Sequence, residues 1–313
     1  MIFTTETMQE IIPRLETSLE ETDTVTFYIF DPDLGNGYAG QTAEIEGTVY
    51  IYRGLKAWVD LAELLKCRIM LPEKAEYPLV ALTFRKLETH NSFHDDTDRD
   101  REEKYGVASN FFALQKMEEP AFLYYYIQAL TNAGIGGRQR ILDLGVNRGD
   151  EFGVVRKMLN IDEYENKSFT GIDHSATATA YAKECFPEEN VTFFTADITK
   201  LDDLQLGHFD LLISIGTLQS PEINFKPFFM KLVQEYLDKE DSALILGFPN
   251  SRWAGGEMLY GAKAPNYAMS EMSLLFNDVM FCKKYLQQKK YRVTLTGKYY
   301  IFLTATKIGR NRG

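Results

Sequence analysis

The sequence predicts an α/β protein: a parallel, doubly wound sheet closed by an antiparallel C-terminal hairpin, preceded by a smaller α+β unit. Three observations carry this. From residue 139 onward, short apolar runs alternate with helical patterns, and that alternation packs as a parallel sheet with helices on both faces. The last two runs, YRVTLTG and KYYIFLTATKI, are separated only by a turn at Gly297-Lys298. No crossover helix fits there, so they pair antiparallel. Finally, HDDTDRDREEK at 94–104 is a dense charge run, read as an exposed connection between two parts.

The elements follow in order. Before the charge run, TVTFYIF (24–30) is rich in β-branched and aromatic residues and ends at the turn cluster DPDLGNG. GTVYIY (47–52) reads as a second strand, LKAWVDLAELLK (55–66) as a helix, and CRIMLP and YPLVALTFRKL as extended segments. Residues 107–132 read as helical, with Pro120 marking a break or a new first turn. Beyond them come the strands RILDLG, SFTGID, VTFFTAD, HFDLLISIG and SALILGF, with helices DEFGVVRKMLN, ATATAYAKECF, FKPFFMKLVQEYLDK and SEMSLLFNDVMFCKKYLQQK between or after them. The expected organisation is an accessory α+β domain at 1–94, a charged linker and helical bridge at 95–137, and the main domain at 138–313.

Composition narrows the function classes. The 313 residues carry a net charge of −11, which disfavours general nucleic-acid binding, a process dominated by phosphate neutralisation. KKYLQQKKYR (283–292) is the best basic patch and reads as the solvated end of a helix. Cys67, Cys185 and Cys282 are far apart and odd in number, so neither a disulfide framework nor a zinc ribbon is indicated. No apolar run is long enough for a membrane span and the N-terminus does not read as a secretory signal, so a cytoplasmic protein with reduced thiols is expected. His90 and His94 are four apart beside Asp95, but no further histidine or cysteine is near, and no metal site is expected.

The chemistry concentrates at ILDLGVNRGDE (141–151). In a doubly wound sheet the ligand lies beyond the carboxyl ends of the strands, where strand order reverses. Gly145 suits a turn with positive φ and a close backbone approach. Gly149 allows tight packing where the helix begins, and Asn147 is among the few other residues that enter the left-handed region cheaply. The dinucleotide fingerprint would need glycines at 147 and 150, where Asn147 and Asp150 stand. Asp150 and Glu151 also place acid at a helix N-terminus, which opposes a phosphate.

LDLGVNRG (142–149), FTGIDHS (169–175), TFFTADI (192–198), FDLLISIGTLQS (209–220) and the final strand pair, in this order, resemble the class I S-adenosylmethionine-dependent methyltransferases. The resemblance covers about residues 138–308 and implies a Rossmann-like seven-stranded sheet. It implies S-adenosyl-L-methionine as cofactor and S-adenosyl-L-homocysteine as product. It assigns Asp173 to the ribose hydroxyls, Asp197 and the amide of Ile198 to the adenine, and Asp143 to the ammonium of the amino-acid tail. Gly145, Asn147 and Gly149 form the loop beneath the ligand, and His174 flanks it. Acids suit a cationic ligand, so the signs agree. Each aspartate also has a plainer reading: Asp143 capping the next turn, Asp173 capping the helix near Ala176, Asp197 capping a short helix around Lys200. Asp210, at the start of its strand, is assigned no ligand role.

The acceptor is expected at the ends of the fourth and fifth strands, Gly216 to Gln219 and Phe248 to Trp253. The family's base-N-methylating members carry an Asn/Asp-Pro-Pro-Tyr/Phe motif after the fourth strand, and SIGTLQSP stands there instead. Methyl transfer can run on proximity and alignment, so no catalytic residue is assigned. AGGEMLYGAKAPNYAMS (254–270) is longer than typical connections and reads as a lid-like loop. Asn250, Arg252, Tyr260 and Tyr267 are the acceptor-side candidates. Residues 1–137 fit three roles: a cover for a small-molecule pocket, a macromolecule-recognition unit, or a homodimer interface. The expected function is methyl transfer to a small organic acceptor, with no membrane partner. An RNA-modifying enzyme and a non-catalytic protein that keeps the fold are the alternatives.

Overall fold

In the computed structural model, residues 1–88, 106–109, 111–262 and 271–309 are described. The charge run at 94–104, His90, His94 and Tyr267 lie outside the described residues. Contacts cluster into two units, Met1–Ser92 with Trp253–Leu259, and Phe93–Arg252 with Tyr260–Gly313.

The first unit opens with a helix the sequence reading did not single out, α1 (Met8–Glu21). Ile11, Leu15 and Leu19 recur every four residues and are buried, which is the spacing of one helical face. The Glu10 carboxylate accepts from the Thr7 amide at 2.7 Å and its hydroxyl at 2.9 Å, closing the helix start. β1 (Thr24–Phe30) follows, then a separate hairpin of β2 (Thr42–Ile45) and β3 (Thr48–Ile51), then α2 (Leu55–Leu64). β4 (Cys67–Ile69), β5 (Glu73–Lys74) and β6 (Leu79–Lys86) complete it, with β6 pairing antiparallel to β1, β4 and β5. Phe27, Trp58 and Phe84 fill its core, Phe27 and Phe84 meeting edge-on with centroids 5.0 Å apart.

The helical expectation for 107–132 holds only from Pro120. α3 spans Pro120–Ala133, and the described residues before it form turns with a short 3-10 segment at Lys116–Glu118. Proline at the first helical position lacks only an amide that would be unpaired anyway, and Glu119 before it is extended. Gly134, left-handed at φ 70°, ends α3.

The expected alternation then unfolds: β7 (Arg140–Leu144), α4 (Asp150–Met158), α5 (Ile161–Glu165), β8 (Ser168–Asp173), α6 (Ala176–Cys185), β9 (Val191–Thr195), β10 (Leu211–Ile215) and α7 (Phe225–Lys231), which runs on into a π-helical turn at Leu232–Tyr236. β11 (Ala243–Pro249), the short β12 (Ser251–Ala254) and β13 (Glu257–Tyr260), α8 (Ser273–Gln288), β14 (Tyr291–Gly297) and β15 (Tyr300–Lys307) close the chain. The seven-stranded sheet runs β14-β15-β11-β10-β7-β8-β9. β7 to β11 are parallel along it, and only β15 opposes its neighbours. This is the Rossmann-like sheet with an antiparallel hairpin that the sequence implies. Strands β7 to β9 step one way and β10 onward the other, so order reverses between β7 and β10.

The lid-like loop expected at 254–270 is corrected in its first half. Residues 251–260 pair as the β12–β13 hairpin. Gly255 and Gly256 take φ 54° and 80° at its tip, the two positive values that a tight hairpin turn requires. Within the first unit, Ala254 and Leu259 of this hairpin bury against Leu87, and Glu257 pairs with Arg68.

α4, α5 and α6 bury an aromatic cluster against β8 and β9. Phe152 is fully buried, with ring centroids 5.2 Å from Phe169, 5.9 Å from Phe193 and 6.4 Å from Phe186. Phe152→Ala is expected to lower unfolding free energy by about 3–5 kcal/mol, measured by urea titration. A loss below about 1 kcal/mol would show that the cluster collapses around the gap.

Candidate functional site

The loop after β7 is bent by three residues with positive φ: Gly145 at 78°, Asn147 at 46° and Gly149 at 85°. Asn147 thus takes the left-handed conformation expected where a third glycine was missing. A Cβ on Gly145 would run into the Thr217 side chain, and one on Gly149 would lie 2.7 Å from the Phe186 ring. Thr217 follows β10, so Gly145 and Thr217 meet where strand order reverses. The Ser214 hydroxyl of β10 donates to the Leu144 carbonyl at 3.1 Å and ties the same two strands.

The loop is fastened to the end of β8. The amides of Gly145 and Val146 donate to the Ile172 carbonyl at 2.8 and 3.1 Å, and the Asn147 amide donates to Asp173 Oδ2 at 2.9 Å. Asp173 is buried, and its Oδ1 accepts from the Ser175 amide at 3.0 Å. It does not cap α6. Ser175 does, accepting from the Ala178 amide at 3.1 Å. His174 Nδ1 lies 3.5 Å from Asp173 Oδ1, with the ring partly exposed.

At the end of β9, Asp197 is the N-cap of the 3-10 turn Ile198–Leu204, the plainer of its two readings. Its Oδ1 accepts from the Thr199 amide at 2.9 Å and hydroxyl at 2.7 Å. Partial desolvation works to raise its pKa, but those two bonds outweigh it and hold the carboxyl below its ordinary value. Ile198 beside it is buried. Capping fixes one carboxylate oxygen and leaves the remaining acceptor capacity to a ligand.

Asp143 sits under the loop at 1% exposure, and its Oδ2 has no hydrogen-bond partner among the described residues. It caps nothing there. Burial, then the negative charges of Glu151 and Asp173, drive its pKa well above the ordinary carboxylate range, against the pull of Lys116. Glu151, in the first turn of α4, is buried as well and pushed up to about 7, mainly by burial, with Lys116 opposing and Asp150 adding. The Tyr126 hydroxyl reaches the Glu151 carbonyl at 3.4 Å. Burial works against the charge on Lys116, but Tyr300, Glu151 and Asp150 around it outweigh that and hold its ammonium above the ordinary value. Asp150 is paired differently, accepting from Arg148 Nε at 2.8 Å while Arg148 also donates to the Phe112 carbonyl.

Of the residues expected on the acceptor side, Asn250 follows β11 and is 2% exposed, while Arg252 and Tyr260 lie on β12 and β13. The Tyr260 hydroxyl contacts Met272 Sδ at 3.6 Å, and its ring lies 6.4 Å from that of Tyr299. Asp210 is at the opposite edge, accepting the amides of Gln139 and Arg140 at 2.7 and 2.9 Å, which clamps the start of β7. Among the described residues no His/Cys/Asp/Glu group fits a metal ion, and no helix is long and apolar enough to cross a membrane.

Sequence reasoning placed Thr217 only within a strand end and Glu151 only as acid at a helix N-terminus, without foreseeing the contact of the first with Gly145 or the burial of the second, and it did not single out Lys116. Glu151 and buried Val155 are four apart on α4, so its burial was legible from helical spacing. Nothing in the pattern around Lys116 marks it.

Glu151 has a stability signature. Its folded pKa lies above the unfolded value, so between about pH 4.5 and 7 the folded state holds the extra proton and stability falls as pH rises. Glu151→Gln removes that term. In urea unfolding, the variant is expected to gain stability relative to the parent on going from pH 5 to pH 8. A difference that stays constant across this range would show that Glu151 ionises normally.

Residues 142–230 match the family model described as a methyltransferase domain. No curated protein matches the chain. Similar solved structures include the magnesium protoporphyrin IX methyltransferase of Synechocystis PCC 6803 with bound SAM, 16% identical over 62% of this chain and 85% of that one, TM-score 0.39. A SAM dependent methyltransferase from Aquifex aeolicus is 17% identical over 62% and 96%, TM-score 0.41. A plantazolicin methyltransferase in complex with SAH is 12% identical over 62% and 88%, TM-score 0.44. Given the matching segment and the strand order it occupies, the second unit of this chain carries a class I S-adenosylmethionine-dependent methyltransferase domain.

Proposed function

We propose that the carboxyl edge between β7 and β10 binds S-adenosylmethionine through Asp143, the 145–149 loop, Asp173, His174, Asp197 and Ile198, and that the chain methylates a small organic acceptor. The observation that carries this is the orphaned, buried oxygen of Asp143 beneath a glycine turn. A buried carboxylate without a partner is costly, and a cationic ligand relieves the cost. A phosphate ligand would add to the negative charge already there.

The cofactor supplies a methyl group activated by its own sulfonium. The chain's residues bind, orient and exclude water. Asp143 faces the tail ammonium, directly or through water. Asp173, held in place by two backbone amides, offers its remaining lone pairs to the ribose hydroxyls. The uncapped oxygen of Asp197 accepts from the adenine amino group, with the Ile198 amide beside it. Asn250, Arg252 and Tyr260 frame the acceptor, whose alignment with the methyl provides much of the catalysis.

The basic cluster bears on the acceptor class. Lys289, Lys290 and Arg292 are exposed where α8 ends and β14 begins. β14 runs parallel to β11 through the intervening β15, so this cluster lies at the amino edge of the sheet. The cofactor loop is at the carboxyl edge. That separation favours a small acceptor over RNA.

Calorimetric titration with S-adenosylmethionine and S-adenosylhomocysteine tests the reading. The parent chain is expected to bind both at micromolar concentrations, and Asp173→Ala to weaken both more than tenfold. A folded parent that binds neither nucleoside would overturn it.

A further inference from the structure

We propose that Lys116 and Tyr300 form a seat for a carboxylate at the carboxyl edge of the sheet. This rests on the methyltransferase reading and adds a ligand group to that site. Both residues lie outside the segment that matches the family model, residues 142–230.

The chain brings the two together from far apart. The Val107 amide donates to the Thr177 hydroxyl of α6 at 3.0 Å. The Phe112 carbonyl accepts from Arg148 in the loop after β7, and the Arg148 guanidinium lies 5.4 Å from the centre of the Phe112 ring. These contacts tie the chain before α3 to the start of α6 and to the cofactor loop. It then turns through Lys116 into α3, where Phe122 packs edge-on against Tyr300 with centroids 5.0 Å apart. The Lys116 ammonium sits 5.6 Å from the centre of the Tyr300 ring and 5.1 Å from that of Phe111. The Tyr300 hydroxyl is its hydrogen-bonding neighbour.

That hydroxyl reaches the end of β10. Tyr300 pairs with Pro249 at the end of β11, and a Cβ on Gly216 would lie 3.9 Å from the hydroxyl oxygen. Tyr300 and Ile141 share the core beneath α3, whereas Leu142 and Leu144 belong to the opposite one. Side chains alternate along a strand, so Asp143 projects to the face that carries Tyr300. β10 and β7 are paired neighbours, about 4.8 Å apart. The ammonium, the hydroxyl and the orphaned oxygen of Asp143 therefore converge on one face of two adjacent strand ends.

The ammonium has charge to spare. None of the ion pairs among the described residues involves Lys116. Asp150 is engaged by Arg148, and Asp143 and Glu151 are held toward their neutral forms, chiefly by burial. An ammonium beside a phenol offers two donors, which suits the two oxygens of a carboxylate. A phosphate would bring more negative charge into a neighbourhood that already holds Asp143, Glu151 and Asp173. The carboxylate of an amino acid arrives with its own ammonium, so the charge sum does not change. Two sources can reach the seat. The cofactor's tail carries its carboxylate on the same carbon as the ammonium assigned to Asp143. An acceptor at the ends of β10 and β11 can present a carboxylate to the same two groups. The tail is the nearer source.

Calorimetric titration of the full chain tests the seat and separates the sources. The first pair of ligands is S-adenosylhomocysteine and its decarboxylated analogue, which keeps the ammonium. The parent is expected to favour S-adenosylhomocysteine about tenfold or more, the worth of one charged hydrogen bond. Lys116→Met is expected to abolish that preference, and Tyr300→Phe, which keeps the ring, to reduce it about threefold, both with folded thermal melting curves. The double variant Lys116→Met with Glu151→Gln restores the charge sum and is expected to stay without preference. A preference that returns there would show that Lys116 only balances Glu151, and overturns the seat. The second pair is benzoate and benzamide, titrated into the chain saturated with S-adenosylhomocysteine. A benzoate preference that Lys116→Met removes, with the first preference intact, assigns the seat to the acceptor. Absence of both preferences in the parent, or preferences that Lys116→Met leaves intact, overturns the proposal and leaves the methyltransferase reading in place. A folded parent that does not bind S-adenosylhomocysteine overturns both.

Discussion

The carboxyl edge of the sheet depends on one carboxylate. Asp173 receives the amide of Asn147 on one oxygen and that of Ser175 on the other. The first bond fixes the left-handed turn after β7, and the second fixes the chain as it leaves β8 for α6. Bonds from a charged acceptor to backbone amides are stronger than neutral ones, and here they carry the β7–β8 pairing on into the two loops that leave those strands. The same group is the proposed ribose anchor. Its structural and binding roles therefore cannot be fully separated, because one side chain both shapes the cradle and lines it.

Around this clamp the charge distribution is unusual for a protein interior. Asp143 and Glu151 are both buried, with Lys116 the cation acting on both. Two carboxyls facing one ammonium cannot both ionise cheaply. A ligand that brings a further positive charge would offset part of the acidic excess that Asp173 adds. This electrostatic incompleteness, more than the glycine loop, distinguishes the site from a phosphate-binding turn of similar outline.

Much of this was legible in the sequence, and for identifiable reasons. Strand–helix alternation fixed the order of the elements, and Gly145, Asn147 and Gly149 announced the backbone bends because few residue types tolerate positive φ. What failed were features decided at long range. The apolar residues of 107–119 resembled helix, yet turns form there and the helix begins only at Pro120. The stretch after β11 looked like an open loop because strands of four residues carry too short an alternation to stand out. α1 was legible through Ile11, Leu15 and Leu19 and the Thr7–Glu10 cap, and was passed over. Asp197 caps the turn at Ile198–Leu204, the plainer alternative that the sequence offered beside a ligand role. Lys116 gave no local sign, and the contact of Thr217 with Gly145 gave none either, because both depend on neighbours far away in the chain.

The hairpin at 251–260 has a consequence for the order of synthesis. Its tip supplies Ala254 and Leu259 to a small core with Leu87 and an ion-pair partner to Arg68. A ribosome that has released residues 1–92 has therefore not yet delivered every part of the first unit. The missing piece emerges more than 150 residues later, after β11 of the sheet has been made. The nascent first unit must wait with Leu87 uncovered until then, and no single cut in the chain yields two fragments that each contain all of one unit.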